Sequence, residues 1–321
     1  MAIMPSGAAL RRDLAAFVAQ HARDSSKYIG NLVMPYFEVD DEANTFKKLS
    51  VDSTSRLPDD SYSTKAGANR DDFELEEDNY TTKPRAFEGQ LTDPDRARFA
   101  ASGMDGEAVV AGRAYDVIAA REELRVASAL FNTTNFPLSG TTGATVSNAW
   151  SSSSGDPYLD IITGMRIKLT EVGSLPDTLV ITAKTYLDLC RNPVITGRFT
   201  NNTERGMLLT PEQLKSLFAG IQKLYIGGMN SYNTADKGQT PTVASLWTNG
   251  YAWLGYTANG PTDNTFPTPQ VGRIFAWKGW GGSIGMRQYR EDKTDSDIFK
   301  VYKQTVEKLF GSRFGYLMSG V

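Results

Sequence analysis

The sequence predicts an α+β chain, and three observations carry that class. From about Asp105 to Phe131 apolar residues recur at helical spacing without a break. Between Asp156 and Gly228 short apolar strands alternate with helices that open on proline. Near the C-terminus two extended runs, RIFAWKGWGGSIGMRQYR and DIFKVYKQTVEKLF, are joined by EDKTDS, a hairpin signal.

Composition bounds what such a chain does. With 321 residues and 40% hydrophobic content it can bury at least one substantial core. A formal net charge of -3, spread along the chain, leaves no electrostatic footprint of a dedicated nucleic-acid binder. Cys190 is the single cysteine and His21 the single histidine. That excludes disulfide frameworks, Cys/His zinc sites and most histidine acid–base machinery. No window approaches the roughly 20 apolar residues of a membrane span. The N-terminus lacks the apolar core and cleavage site of a secretion signal. A soluble protein is expected.

In chain order, Leu10, Leu14, Phe17 and Val18 predict an amphipathic helix over 6–23. YIGNLVMPYFEVDDEANTFKKLS reads as an extended arm, since Pro35 keeps Met34 open and Tyr36, Phe37 and Val39 suit an edge strand. Residues 46–92 are poor in large aliphatics. Phe46, Leu49, Val51, Phe73, Leu75, Tyr80 and Phe87 are spaced as in a two-stranded excursion whose burial another chain supplies, and Pro84 argues against an interior strand. The acidic run Glu74 to Asp78 reads as a solvated face. Thr92-Asp93-Pro94 is a helix start. The helix over 105–131 would be about 40 Å long, a spine at roughly 1.5 Å per residue. Val110, Val117, Ala120, Leu124, Ala127 and Phe131 form its expected stripe, with Arg113, Arg121, Glu122, Glu123 and Arg125 around it.

A Ser/Thr/Gly-rich connector over 132–155 precedes a helix opened by Asp156-Pro157 and carrying Leu159, Ile162, Ile167 and Leu169. Then come a buried strand over Thr178–Thr182, a helix holding Tyr186, Leu187 and Cys190 that stops at Pro193, a helix opened by Thr210-Pro211-Glu212, and the strand KLYIGG. MNSYNTADKGQTPTVASLWTNG is expected to be a long polar loop before the strand YAWLGYT, and 257–272 to be irregular. FGYLMSGV is a terminal strand suited to docking on a core.

Catalytic equipment is sparse. No phosphate loop and no dinucleotide fingerprint occur, and the glycines of GWGGSIG sit in a β context. His21 reads as a surface residue on the arm and Cys190 as a core thiol. The acid pairs Asp40/Asp41, Asp71/Asp72 and Glu76/Glu77 read as loop charges. Trp247, Trp253, Trp277 and Trp280 read as core or interface aromatics. No catalytic, cofactor-binding or metal-ligating residue is assigned.

The order of these pieces resembles one family. YIGNLVMPYFEVDDEANTFKKL resembles the N-terminal arm of tailed-phage major capsid proteins. PDTLVITAKTYLDLCRNPVI and TPEQLKSLFAGIQKLYIGG resemble elements of their axial domain, SYNTADKGQTPTVASLWTNGYAWLGYT the exposed axial loop and following strand, and MRQYREDKTDSDIFKVYKQTVEKLFGSRFGYLMSGV the closing hairpin and terminal strand. Together they cover residues 28–321. The resemblance implies the Hong Kong 97-type capsid fold, with an N-terminal arm (1–45), an extended loop (46–100), a peripheral-domain spine helix (101–135), an α/β axial domain (136–272), a peripheral hairpin (273–310) and a returning strand (311–321).

It further implies a structural shell subunit, acting in the virion after assembly in the host cytoplasm and using no cofactor. Its expected partners are copies of itself in hexamers and pentamers, a separate scaffold, a portal and, non-specifically, packaged DNA. Expected interface residues are Phe73, Tyr80 and Phe87 on the loop and Arg287, Tyr289 and Lys303 on the hairpin. Some capsids of this fold join a loop lysine to an asparagine of another subunit; Lys65 and Lys83 lie in the right region, but no partner asparagine is identified. An encapsulin-like compartment is the alternative within the fold, and an α/β hydrolytic enzyme the alternative outside it.

Overall fold

A computed structural model describes residues 28–49, 56–58, 60, 74–199, 209–228, 231–236, 238–259 and 269–321. The helix expected over 6–23, His21, Lys65 and Phe73 lie outside the described residues. The chain makes one helical turn, α1 (Gly30–Val33), and enters β1 (Tyr36–Val39). β2 (Ala43–Leu49) and β3 (Leu75–Thr81) pair antiparallel as the expected two-stranded excursion, and β4 (Lys83–Thr92) follows. Thr92 caps α2 (Asp93–Ala101), with proline in its first turn. Asp105 then caps the 25-residue α3 (Gly106–Leu130), its carboxylate accepting from the backbone N–H of Glu107 and Ala108.

The second half opens with β5 (Gly143–Thr145) and α4 (Pro157–Val172), which is capped by Asp156 and ends on Gly173 at φ +81°. β6 (Thr178–Thr182), α5 (Ala183–Arg191), α6 (Pro193–Thr196), α7 (Pro211–Ser216) and β7 (Lys223–Gly227) follow the expected alternation. α7 carries a full capping box between Thr210 and Gln213. The expected polar loop contains a small hairpin, β8 (Ser231–Asn233) with β9 (Val243–Ser245). Asn233 organises it, its side-chain oxygen accepting from the N–H of Ala235 and of Thr242. β10 (Tyr251–Gly255), β11 (Gly272–Trp277), β12 (Gly285–Glu291), β13 (Ser296–Leu309) and β14 (Gly315–Ser319) complete the chain.

Two five-stranded sheets result. In the axial sheet the order is β5-β14-β10-β6-β7. Alternation sends Leu179, Ile181, Ala252, Leu254, Tyr316 and Met318 to one face, where α4 to α7 cover them, and Val180, Trp253 and Leu317 to the other, under the end of α3. The peripheral sheet is built on β13. Ser296–Tyr302 pairs with both β12 and β4, and Thr305 with both β11 and β4. β4 therefore runs along one edge of β13 while β12 and β11 lie end to end along the other, with β1 parallel outside β11. The run expected to be one extended segment is thus two strands. A 3-10 turn at Lys278–Trp280 and glycines 281 and 282, at φ +84° and +56°, break it.

α3 lies across the peripheral sheet, and its buried face departs from the expected stripe. Ala111, Ala114 and Ile118 pack on Leu91, Met286, Phe299 and Val301, whereas Val110, Val117, Ala120 and Leu124 are only half-buried; Ala127 and Phe131, at the end of the expected stripe, are buried as expected. The N-terminal half of the helix approaches the sheet closely, because a Cβ at Gly89 would stand 2.5 Å from Val110 Cγ1. Further along, the buried face holds Glu122 and Glu123, both expected among the surface charges.

Candidate assembly interface

The β2–β3 ribbon has little interior of its own. Lys47 opposes Glu77 and Lys48 opposes Glu76, with N–O distances of 3.6 and 3.4 Å, and Leu75 at its far end is 50% exposed. Its base is aromatic. Tyr80 stacks on Phe275 with centroids 4.8 Å apart and planes 8° apart, and Phe46 lies 5.5 Å from Phe275 and 5.6 Å from Phe310. Lys308 Nζ holds Asp78 at 2.7 Å and Lys48 Nζ donates to the Phe310 carbonyl at 3.2 Å, both across to the end of β13 or just beyond it. Burial opposes the Asp78 carboxylate, yet the Lys308 and Asn79 hydrogen bonds outweigh it and hold its pKa below the ordinary value. A firm root thus carries a ribbon that offers charged and apolar groups outward.

A buried polar junction ties the arm, α3 and β13 together. Glu122 accepts from the Tyr36 hydroxyl and stands 2.5 Å from Lys303 Nζ. Arg125 Nε, one turn on, bonds Glu307 at 2.8 Å. Glu123 faces another way: its carboxylate accepts from the N–H of Ile29 (3.1 Å) and Gly30 (2.6 Å) and from Trp247 Nε1 (2.5 Å). Burial raises the Glu123 pKa, with these three donors pulling it back. Burial, then the Glu122 charge, drives the Tyr36 hydroxyl well above its ordinary pKa. Gly30 lets the arm come this close, since a Cβ would stand 2.7 Å from Glu123 Oε2 and displace that carboxylate.

The expected interface residues fall into three groups. Phe73 lies outside the described residues. Tyr80 and Lys303 are enclosed by their own chain, at 7% and 3% exposure, so each serves the subunit's interior rather than an open surface. Phe87 remains 39% exposed. Met286 opposes Val301 in the core under α3, so strand alternation puts Arg287 and Tyr289 on the sheet face turned away from that helix. There Arg287 lies over the Tyr302 ring, 4.9 Å from its centroid, and donates to the Tyr302 hydroxyl at 3.0 Å. Trp280 flanks the same ring. Among the described residues no His, Cys, Asp and Glu group is arranged to hold a metal ion, and no helix is long and apolar enough to cross a membrane. Cys190 is buried, and burial raises its thiol pKa.

Solved structures share this arrangement over nearly its whole length. A phage-related protein from Bordetella bronchiseptica superposes with a TM-score of 0.70 at 20% identity, covering 95% of this chain and 96% of that one. The capsid structure of cyanophage P-SCSP1u gives a TM-score of 0.56 at 13% identity, over 90% and 86% of the two chains. The chain has the Hong Kong 97-type capsid fold. A virus-like particle from Pyrococcus furiosus matches as well, with a TM-score of 0.57 at 11% identity and coverage of 95% and 98%. Neither a family model nor a curated protein matches the sequence. Of the span expected as an extended loop, 46–100, only the part in β2 and β3 forms a separate two-stranded sheet; β4 pairs along β13 and belongs to that sheet.

Proposed function

We propose that this chain is the major capsid protein of a tailed phage, a structural subunit that assembles with copies of itself into the icosahedral shell around a double-stranded DNA genome. The observation that carries the reading is the β2–β3 ribbon. It is fixed at its root by Phe46, Tyr80 and Phe275, yet beyond the root it is exposed, so burial of its outer part calls for a neighbouring subunit. The capsid fold supports the same reading. Phe87 on β4, and Arg287 and Tyr289 on the helix-free sheet face, are the proposed contacts on the peripheral domain. Scaffold, portal and packaged DNA are its proposed partners, and the virion its proposed location. Repetition of weak contacts by symmetry makes such a shell stable although no single contact is strong.

The likeness to a virus-like particle favours one second reading, a compartment that holds protein cargo. Electron microscopy of the purified protein, alone and with a candidate scaffold, tests the shell: closed particles are expected, and a monodisperse monomer under all assembly conditions rejects it. Mass spectrometry of native particles separates genome-bearing heads, which carry portal and tail proteins, from cargo compartments.

A further inference from the structure

The junction of α3, β4 and β13 carries more positive charge than its own acids match. Across the antiparallel pair Lys83 stands opposite Thr305, Arg85 opposite Lys303 and Phe87 opposite Val301. Directly opposed residues share a face, so these side chains lie on the side of α3, where Val301 is part of the core beneath that helix. Glu122 meets Lys303 there at 2.5 Å, and Arg125 reaches Glu307 at 2.8 Å and Glu122 at 4.0 Å. Lys83, Arg85, Arg125 and Lys303 thus face two carboxylates. A further acid on this face, Glu38, is exposed on β1, two strands away from β13. Neither Lys83 nor Arg85 has an ion-pair partner among the described residues.

Unpartnered polar atoms gather at the same place. Six enclosed side-chain nitrogen or oxygen atoms of the described residues lack a hydrogen bond, and four of them, Arg85 Nε, Glu122 Oε2, Arg125 Nη2 and Thr305 Oγ1, belong to this junction. Lys303 neutralises Glu122 Oε2, and Arg125 Nη2 lies near that same oxygen. Arg85 Nε and the Thr305 hydroxyl have nothing, although Arg85 is half-buried and Thr305 only 1% exposed. A buried donor without an acceptor costs free energy, and a half-buried guanidinium without a counter-charge adds to that cost.

We propose that a small free oxyanion binds at this junction, held by Arg85 and Thr305 with Lys83 at the mouth. The missing group is an acceptor, because arginine can only donate and the threonine hydroxyl is able to, and it is an anion, because the cations outnumber the carboxylates. A guanidinium matches two oxygens of such an ion with parallel N–H groups. Arg85 Nε and Thr305 Oγ1 are enclosed, so a phosphate fixed in a polynucleotide strand does not reach them, whereas a free ion enters past the exposed Lys83. The site lies within one subunit and stands apart from the capsid reading.

The test is thermal unfolding of the full, unassembled chain in inorganic phosphate, against chloride at the same ionic strength. Phosphate is expected to raise the melting temperature saturably, by about 4 °C at roughly a hundredfold excess over its dissociation constant. Arg85→Met keeps the apolar stem and Thr305→Val keeps the shape; each is expected to weaken phosphate binding roughly tenfold or more in titration calorimetry. Crystals grown in selenate are expected to show its anomalous peak within hydrogen-bonding reach of Arg85 and Thr305, a readout that does not depend on either variant folding. A response to phosphate no larger than that to chloride, with no selenate peak, overturns the proposal and leaves the two groups to water. A response that both variants retain overturns it by placing the ion elsewhere. Binding of a DNA duplex that phosphate competes away and Arg85→Met abolishes overturns it in favour of a polynucleotide. A melting temperature that rises with protein concentration in the wild type but not in Arg85→Met overturns it in favour of a carboxylate from a second copy.

Discussion

The residues that matter most to the subunit are the adjacent Glu122 and Glu123, because each is buried and each binds a different part of the chain. Glu122 has a cation, so removing Lys303 strands a charge. Lys303→Ala is expected to cost about 3–5 kcal/mol, and K303M/E122L to recover most of it, as read from urea unfolding of the unassembled chain. Glu123 has three N–H donors and no cation at hydrogen-bond distance. Glu123→Ala leaves those donors unpaired and is expected to cost about 1–3 kcal/mol. Its raised pKa fixes a sign. The folded chain holds this proton more tightly than the unfolded chain does, so the stabilisation is fully present below the unfolded carboxyl's pKa and fades as pH rises through the folded one. Melting curves of wild type and Glu123→Gln from acid to neutral pH should show the wild type losing ground to the variant as pH rises; a constant gap would contradict it. Neither glutamate's role was legible in the sequence. A binary pattern assigns charge to the surface, and the reasons these two are inside, the arm's N–H groups, Trp247 and Lys303, come from segments far away in the chain.

At the scale of elements the local chemistry was readable and the tertiary choice of face was not. The caps at Thr92, Asp156 and Thr210 and the all-buried strand Thr178–Thr182 stand where the sequence put them, because each depends on neighbours within a few residues. The spine helix was equally legible in its extent. Its buried side was legible only at the end, in Ala127 and Phe131; in the first half small residues such as Ala111 and Ala114 face the sheet and Gly89 gives way to Val110. A hydrophobicity stripe favours valine and leucine over alanine, whereas close helix–sheet approach favours alanine. Gly89→Val is therefore expected to destabilise the subunit by about 1–3 kcal/mol through overpacking against Val110. Adding Val110→Ala should restore part of the loss, as measured by the midpoint of denaturant unfolding. Unchanged stability in Gly89→Val would mean that the helix rides higher on the sheet than described.

The whole molecule divides its surface between groups that finish the subunit and groups left open, and only the second kind can make the contacts of the proposed shell. At 20% identity a solved structure still superposes with a TM-score of 0.70, so the fold tolerates wide change in the residues that fill it. The order of elements along the chain was thus a better guide than any single motif, while the residues proposed for an interface were sorted only by their exposure. Tyr80 and Lys303 belong to the interior, and changing them should lower subunit stability and shell yield together. Phe87 is exposed, and Arg287 is half-buried on the helix-free sheet face, packed on Tyr302. Phe87→Ser and Arg287→Glu are expected to leave the melting temperature of the unassembled chain within about 2 °C of wild type, a shift of about 1 kcal/mol for a chain this long. The same variants should sharply reduce the fraction of subunits sedimenting as closed particles, because a small loss at one contact recurs at every symmetry-related copy. Wild-type particle yield in both variants would remove these residues from the interface, and a matching fall in melting temperature would return them to the interior.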